Sequence, residues 1–214
     1  MAWLLLWHYP RAQTHTQEIE YLADFDTLTK LPNRRQFSEF LNSLQDSPQK
    51  FEILLIDLDN FKQINDSLGM NEGDLLLVDV AQRLSTQVQA RDFLARVGGD
   101  TFVLISFEQS LKNEIAATLL ETLNAPCQLT NIAKDIQACI GVCKEGDSPT
   151  DMFNKAELAM KSAKSLGNNN FVIFNKYIED KVNRRNELIS ALKNAIPNNE
   201  LSLVFQPQID VETN

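Results

Sequence analysis

The chain has 214 residues, 43% apolar and 23% charged, with seven glycines and seven prolines. That balance excludes bulk disorder, collagen-like repeats and Pro-rich low complexity, and the length allows one domain plus a fragment of a second. Twenty Lys and Arg against 29 Asp and Glu leave a net charge of −9, which excludes unspecific binding to nucleic-acid backbones.

Residues 1–21 read as a leader and helical connector. The apolar run at 2–7 falls far short of the ~20 residues that cross a bilayer. With Trp3 and Trp7 before a basic stretch at 8–16, it reads either as the trailing end of a membrane helix or as a helix that packs on a partner. Apolar residues at Phe37, Phe40, Leu41 and Leu44 predict a helix over 33–44, with Pro32 at its start. The run 51–56 predicts a buried strand, and 61–68 and 73–88 predict helices. Leu75, Leu76, Val78, Val80 and Leu84 mark the inner face of the second.

Strands are expected at 93–97 and 101–107. Gly98-Gly99-Asp100 between them reads as a hairpin turn in which the glycines supply positive φ. Helix is expected over 111–123, strand over most of 132–143, helix over 150–166 up to Gly167, and strand at 171–174. This order implies an α+β fold, a mixed central β-sheet with surrounding helices. Beyond 175 a charged helix over 176–196 leads into an alternating segment at 201–205 that reads as the first strand of a truncated second domain.

The chemistry available is restricted. Both histidines, His8 and His15, lie in the leader, and Cys139 and Cys143 share an expected strand that separates them by about 13 Å. Cys127 completes an odd trio unsuited to a disulfide framework, which fits a reducing, cytoplasmic compartment. The body of the protein therefore works with carboxylates, amides, lysines and hard metals. Asp57 ends the buried strand and Asp100 sits in the hairpin turn, so the two carboxylates can converge on one Mg²⁺ if those elements are neighbours. The alternative is that both are turn and capping residues.

Five segments in order resemble the GGDEF family of diguanylate cyclase domains. Asp26-Thr27-Leu28-Thr29-Lys30-Leu31-Pro32-Asn33-Arg34-Arg35 is similar to the family's D-x-L-T-G-L-P-N-R-R, and the segment from Ile56-Asp57-Leu58-Asp59 through Phe61-Lys62-Gln63-Ile64-Asn65-Asp66 to its I-D-x-D-x-F-K-x-I-N-D. Gly69 and Gly73-Asp74 match G-H-x-x-G-D, and Arg96-Val97-Gly98-Gly99-Asp100-Thr101-Phe102 resembles the signature R-x-G-G-D-E-F. Ile140-Gly141-Val142 and the stretch from Ala156 to Lys164 match the last strand and helix. The resemblance covers about 22–178, and 179–214, with Phe205-Gln206-Pro207-Gln208, looks like the opening of an EAL domain, the family of cyclic di-GMP phosphodiesterases.

The resemblance implies a ferredoxin-like, nucleotide-cyclase palm-type fold and a homodimer that joins two GTP molecules into cyclic di-GMP. It implies Mg²⁺ or Mn²⁺ held by Asp57, the Leu58 carbonyl and Asp100, with Asp100 also catalytic at the ribose hydroxyl. Asn65 and Asp74 would read guanine, with Phe61, Lys62, Gly98, Gly99 and Lys164 completing the nucleotide site. Read as residues alone, Asn65 could cap a helix, Asp74 could serve a helix N-terminus, the glycines could form only a turn, and the lysines could be solvated surface charges. Thr101 stands where the family has Glu, Asn168 where it has a triphosphate-binding Arg, Lys30 where it has Gly and Met70 where it has His. Gln89 replaces the Arg of the family's product-inhibition motif, although its Asp is present as Asp92. These departures imply a degenerate domain that keeps GTP binding, cyclises weakly or not at all, and regulates a downstream EAL domain. A weakly active cyclase and a structural dimerisation module are the alternatives, and an inner-membrane tether through the N-terminus is compatible with the leader.

Overall fold

The computed structural model describes residues 22–107, 114–128, 133–195, 197–198, 200 and 202–205. The leader, the first three residues of the helix expected at 111–123, and Gln206-Pro207-Gln208 lie outside them. The chain divides into two compact units, Met1–Asn175 and Lys176–Asn214. No helix among the described residues is long and apolar enough to cross a membrane.

In the first unit, α1 (Arg34–Ser43) begins where the Asn33 side chain accepts from the Arg35 and Gln36 N–H groups, which would otherwise lack partners. Pro32 precedes that cap and forms a bridge with Phe25. The strand β1 (Glu52–Leu58) is buried at all seven positions, so the expected run extends to include Asp57 and Leu58. Helices α2 (Phe61–Leu68) and α3 (Met70–Gln87) follow, joined by Gly69 alone. Gly69 at φ 92° takes a backbone conformation that L side chains resist, and so α3 starts at Met70 rather than at residue 73. Leu76, Leu77, Val80, Ala81 and Leu84 form its buried face, whereas Leu75 is exposed.

The remaining elements of this unit are β2 (Phe93–Arg96), β3 (Thr101–Ser106), α4 (Glu114–Leu123), a two-residue ribbon of β4 (Cys127–Gln128) with β5 (Ala133–Lys134), β6 (Ala138–Cys143), α5 (Pro149–Leu166) and β7 (Asn170–Ile173). The expected single strand over 132–143 is thus two strands separated at 135–137. The sheet runs β2-β3-β1-β6-β7 and is mixed, as expected: β1 is antiparallel to both β3 and β6, and only β6 and β7 are parallel. Leu54, Ile56 and Leu58 pack one face against α3 and α4, while Ile53 and Leu55 pack the other against α1 and α5. Strand alternation places Asp57 on the α1/α5 face.

The second unit holds α6 (Lys176–Ala195), with Glu179 in its first turn and Lys193 in its last, each matched in sign to the helix dipole. Residues 202–205 form no strand, contrary to the alternating pattern. A lone strand has no ladder to satisfy its backbone groups, and the described residues of that unit offer none.

Lys30 adopts φ 62°, left-handed backbone that a side chain disfavours by about 1–2 kcal/mol. Lys30→Gly is expected to stabilise the protein by about 0.5–1 kcal/mol after the extra chain entropy of glycine is counted. A thermal melt should show a rise of about 1–4 °C; an unchanged or lower midpoint would mean that the Lys30 bond to the Thr27 carbonyl, 2.7 Å, compensates for the strain.

Candidate nucleotide and metal site

The site starts from a carboxylate that the sheet holds still. Asp57 is registered against Thr101 on β3 and Cys139 on β6, so its backbone is fixed from both sides. Its side chain is only 10% exposed. Lys164, near the end of α5, places Nζ 2.5 Å from Asp57 Oδ1, and the Thr101 hydroxyl donates to Oδ2 at 3.3 Å. Burial pushes the Asp57 carboxyl above the ordinary carboxylate range; the Lys164 bond opposes this and the charge of Asp100 adds to it. Burial alone would pull the Lys164 ammonium down, but Asp57, Asp100 and Asp59 outweigh it and hold Lys164 above its usual value. Lys164, although 42% exposed, is therefore an ion-paired group and not a free surface charge.

Asp100 belongs to the same cluster, since its carbonyl accepts from the Leu58 N–H at 3.2 Å. Asp57, Leu58 and Asp100 are thus brought together by the β1–β3 register. Their donors are two carboxylates and a main-chain carbonyl, all hard oxygen, and the like charge of Asp100 raising Asp57 is a repulsion that a divalent cation would cancel. These residues fit Mg²⁺ or Mn²⁺. Among the described residues no group of three or more His, Cys, Asp and Glu could hold a metal, so carbonyl, water and ligand oxygens would have to complete the coordination. A cleft of about 500 Å³ opens beside this cluster, with Asp57, Gly98, Thr101, Arg34, Phe37 and Phe153 in its walls.

The hairpin that carries Asp100 is not built as expected. Positive φ among the glycines occurs only at Gly69 and Gly167, so neither Gly98 nor Gly99 supplies it. The turn is shaped by the Thr101 carbonyl, which accepts from the Val97 and Gly98 N–H groups, and by Arg96, whose guanidinium donates twice to the Gly99 carbonyl. Arg96 also reaches Asp26 Oδ1 at 2.8 Å across 70 residues. Burial works against the Asp26 charge, but the Thr29 N–H and hydroxyl together with Arg96 outweigh it and hold Asp26 below the usual range. The opening motif of the domain thereby braces its signature hairpin, a pairing that local sequence patterns do not reveal.

A second group of expected site residues meets at the α2–α3 corner. A Cβ on Gly73 would lie 1.8 Å from Asn65 Oδ1 and 3.3 Å from Phe61 Cζ, so Phe61 and Asn65 pack directly on the glycine backbone. Asn65 Oδ1 is buried there without a hydrogen-bond partner among the described residues. The Asn65 side chain caps neither helix end, since Asn60 and Gly69 occupy the cap positions of α2. Asp74, next to Gly73, is exposed and lies beyond the first turn of α3, too far along for a dipole role. Lys62 is exposed and makes no interaction among the described residues.

Two further positions show what surrounds the site. Asn168 turns its amide to Gln137 Oε1 at 3.3 Å. Asp59 accepts from the Asn169 N–H at 2.9 Å and from the Cys139 thiol at 3.5 Å, so it anchors the loop after α5. A separate cleft of about 730 Å³ is lined by Gln89, Arg91, Asp92 and Phe107. There both Asp92 oxygens accept main-chain N–H groups, from Gln89 and Phe107, which is a structural use of that carboxylate.

A family model described as "Diguanylate cyclase, GGDEF domain" matches residues 23–170. The chain is 33% identical over 203 residues to MucR of Pseudomonas aeruginosa, described as a bifunctional diguanylate cyclase/cyclic di-GMP phosphodiesterase, covering 90% of this chain and 30% of MucR. It is 33% identical over 200 residues to the oxygen sensor protein DosP of Escherichia coli, covering 92% of this chain and 25% of DosP. The chain thus spans less than a third of the length of these relatives. The GGDEF domain of TpbB (YfiN) from Pseudomonas aeruginosa superposes with TM-score 0.69 at 29% identity, over 74% of this chain and 99% of that one. An EAL/GGDEF domain protein from M. capsulatus superposes with TM-score 0.58 at 34% identity, over 67% of this chain and 99% of that one.

Proposed function

The chain belongs to the GGDEF family of diguanylate cyclase domains, and from that premise we propose that it is a degenerate member that binds GTP and regulates a downstream EAL domain. Its mixed sheet has the palm-type architecture of such domains. The observation that carries the reading is the buried, unpartnered Asn65 Oδ1 beside Asp74, because a buried acceptor without a donor is costly unless a ligand supplies one. Guanine presents ring and exocyclic N–H donors to such a pair. Gly98 and Gly99 leave the hairpin without side chains where the ligand would pass. Lys164 would meet the phosphates, and Lys62, exposed and unpaired among the described residues, is available as a second cation.

Mg²⁺ or Mn²⁺ held by Asp57, the Leu58 carbonyl and Asp100 would neutralise phosphate charge. Thr101 replaces a carboxylate ligand by a hydroxyl, and Asn168 replaces a forked guanidinium by an amide already used by Gln137, so cyclisation is weakened more than guanine binding. A weakly active cyclase is the second reading, favoured by the intact Asp57–Asp100–Lys164 cluster; Asp100 would then help deprotonate the ribose hydroxyl across a homodimer. The proposed boundaries are 22–178 for the GGDEF domain and 179–214 for the start of the EAL domain, in a cytoplasmic protein.

Calorimetry with GTP tests the reading. Asn65→Ala and Asp74→Ala should each weaken binding about tenfold, the value of one or two hydrogen bonds. No binding of GTP by the parent chain would leave the structural dimerisation module instead.

A further inference from the structure

Both oxygens of Asp57 are already engaged by this chain's own donors. Lys164 Nζ lies at 2.5 Å from Oδ1, and the Thr101 hydroxyl lies at 3.3 Å from Oδ2. The carboxylate is nearly enclosed, and Lys164 draws additional attraction from Asp59 and Asp100. Thr101 occupies the place of the family's Glu, and a carboxylate there would repel Asp57 where the hydroxyl donates to it. The substitution therefore does more than remove a ligand: it adds a bond that holds Asp57 toward Lys164. With Asn168 bound to Gln137, Lys164 is the cation at this end of α5 that contacts the carboxylate cluster.

We propose that Lys164, held by Thr101 through Asp57, is a built-in occupant of the cation site, which stays closed to free divalent metal until a triphosphate draws the ammonium away. A divalent cation on Asp57 Oδ1 would compete with the Lys164 ammonium for that oxygen and be repelled by its charge at close range, so each occupancy weakens the other. Phosphate oxygens offer Lys164 an alternative anion, and its departure frees Asp57. A triphosphate carries more negative charge than a diphosphate, so GTP would draw the ammonium away more strongly than GDP. This second half rests on the GTP-binding reading; the first half does not.

The test uses Mn²⁺ binding to the 214-residue chain without nucleotide, followed by electron paramagnetic resonance of the free ion. Lys164→Met is expected to tighten Mn²⁺ binding about tenfold to a hundredfold, the range of a charge-assisted bond, and Thr101→Val about threefold. Lys161→Met, which removes a charge on the same helix that is paired with Glu157, should leave it unchanged. In chelator, calorimetry should show that the parent prefers GTP to GDP and that Lys164→Met abolishes the preference. Gain of metal together with loss of phosphate discrimination is an outcome that general destabilisation cannot produce. Unchanged or weaker Mn²⁺ binding in Lys164→Met, or an equal gain in Lys161→Met, overturns the proposal. If a melt shows Lys164→Met unfolded, Thr101→Val decides: no gain there overturns it. If the parent fails to bind GTP yet the Mn²⁺ gain appears, the GTP reading falls and the occupied cation site stands.

Discussion

Gly141→Ala is expected to lower the melting midpoint by about 10 °C. Gly141 lies in β6 under α5, and a Cβ there would sit 2.1 Å from the Ala156 carbonyl oxygen and 2.2 Å from the Met160 nitrogen. Those are backbone atoms, so no rotamer change relieves the clash and the helix must lift. α5 buries Met152, Ala156, Ala159, Met160 and Ala163 against the sheet, and lifting it loosens all of them. The cost is about 3–4 kcal/mol, at the top of the range for overpacked cores. Because α5 also carries Lys164, the same variant should lose GTP affinity. Circular dichroism checks the first effect, and a midpoint within about 2 °C of the parent would show that α5 slides at little cost.

Thr101→Glu combined with Asn168→Arg is expected to raise cyclic di-GMP formation about 10²-fold or more over the parent, since each lost electrostatic partner typically costs 10²–10³ in rate. The glutamate returns a hard ligand beside Asp57 and Asp100, and the arginine returns a forked donor for the phosphates. The same glutamate removes the Thr101 bond to Asp57 and adds a third negative group to the cluster. Without metal the double variant should therefore melt below the parent, and Mg²⁺ with GTP should restore the loss. Chromatography of GTP incubations gives the rate. No product from the folded, GTP-binding double variant would place the defect elsewhere, with Met70 the next departure to repair.

How much of this structure is legible in the chain depends on how far apart the determining residues lie. β1, α1 and α5 are legible from an apolar run and apolar periodicity, whereas the side chains that cap the two helices, Asn33 and Ser148, emerge only in the fold. The start of α3 escapes an apolar pattern, which cannot show that Gly69 turns the chain within one residue. Paired glycines between strands suggest positive φ, yet the hairpin is set by Arg96, which couples to Asp26 across 70 positions. β4 and β5, two residues each, are too short to leave a periodic signal. At the site, family likeness supplies the names Asp57, Asp100, Asn65 and Asp74, but not the pairing of Asp57 with Lys164 across 107 positions. Nor does it supply the Asp59 anchor of Asn169, 110 positions away. A charged residue buried at a strand end, as at Asp57, is a signal that a distant cation must exist; only the fold says which.

The strand that carries Asp57 is hydrogen-bonded on both edges and dry along its whole length. By contrast, Lys30, Met70, Thr101 and Asn168 all lie in turns or at the first residue of an element. Substitutions at such rims touch the site's chemistry without disturbing the buried strand. On the degenerate reading proposed above, such a layout would let turnover fall while the buried frame of the sheet persists as a chassis.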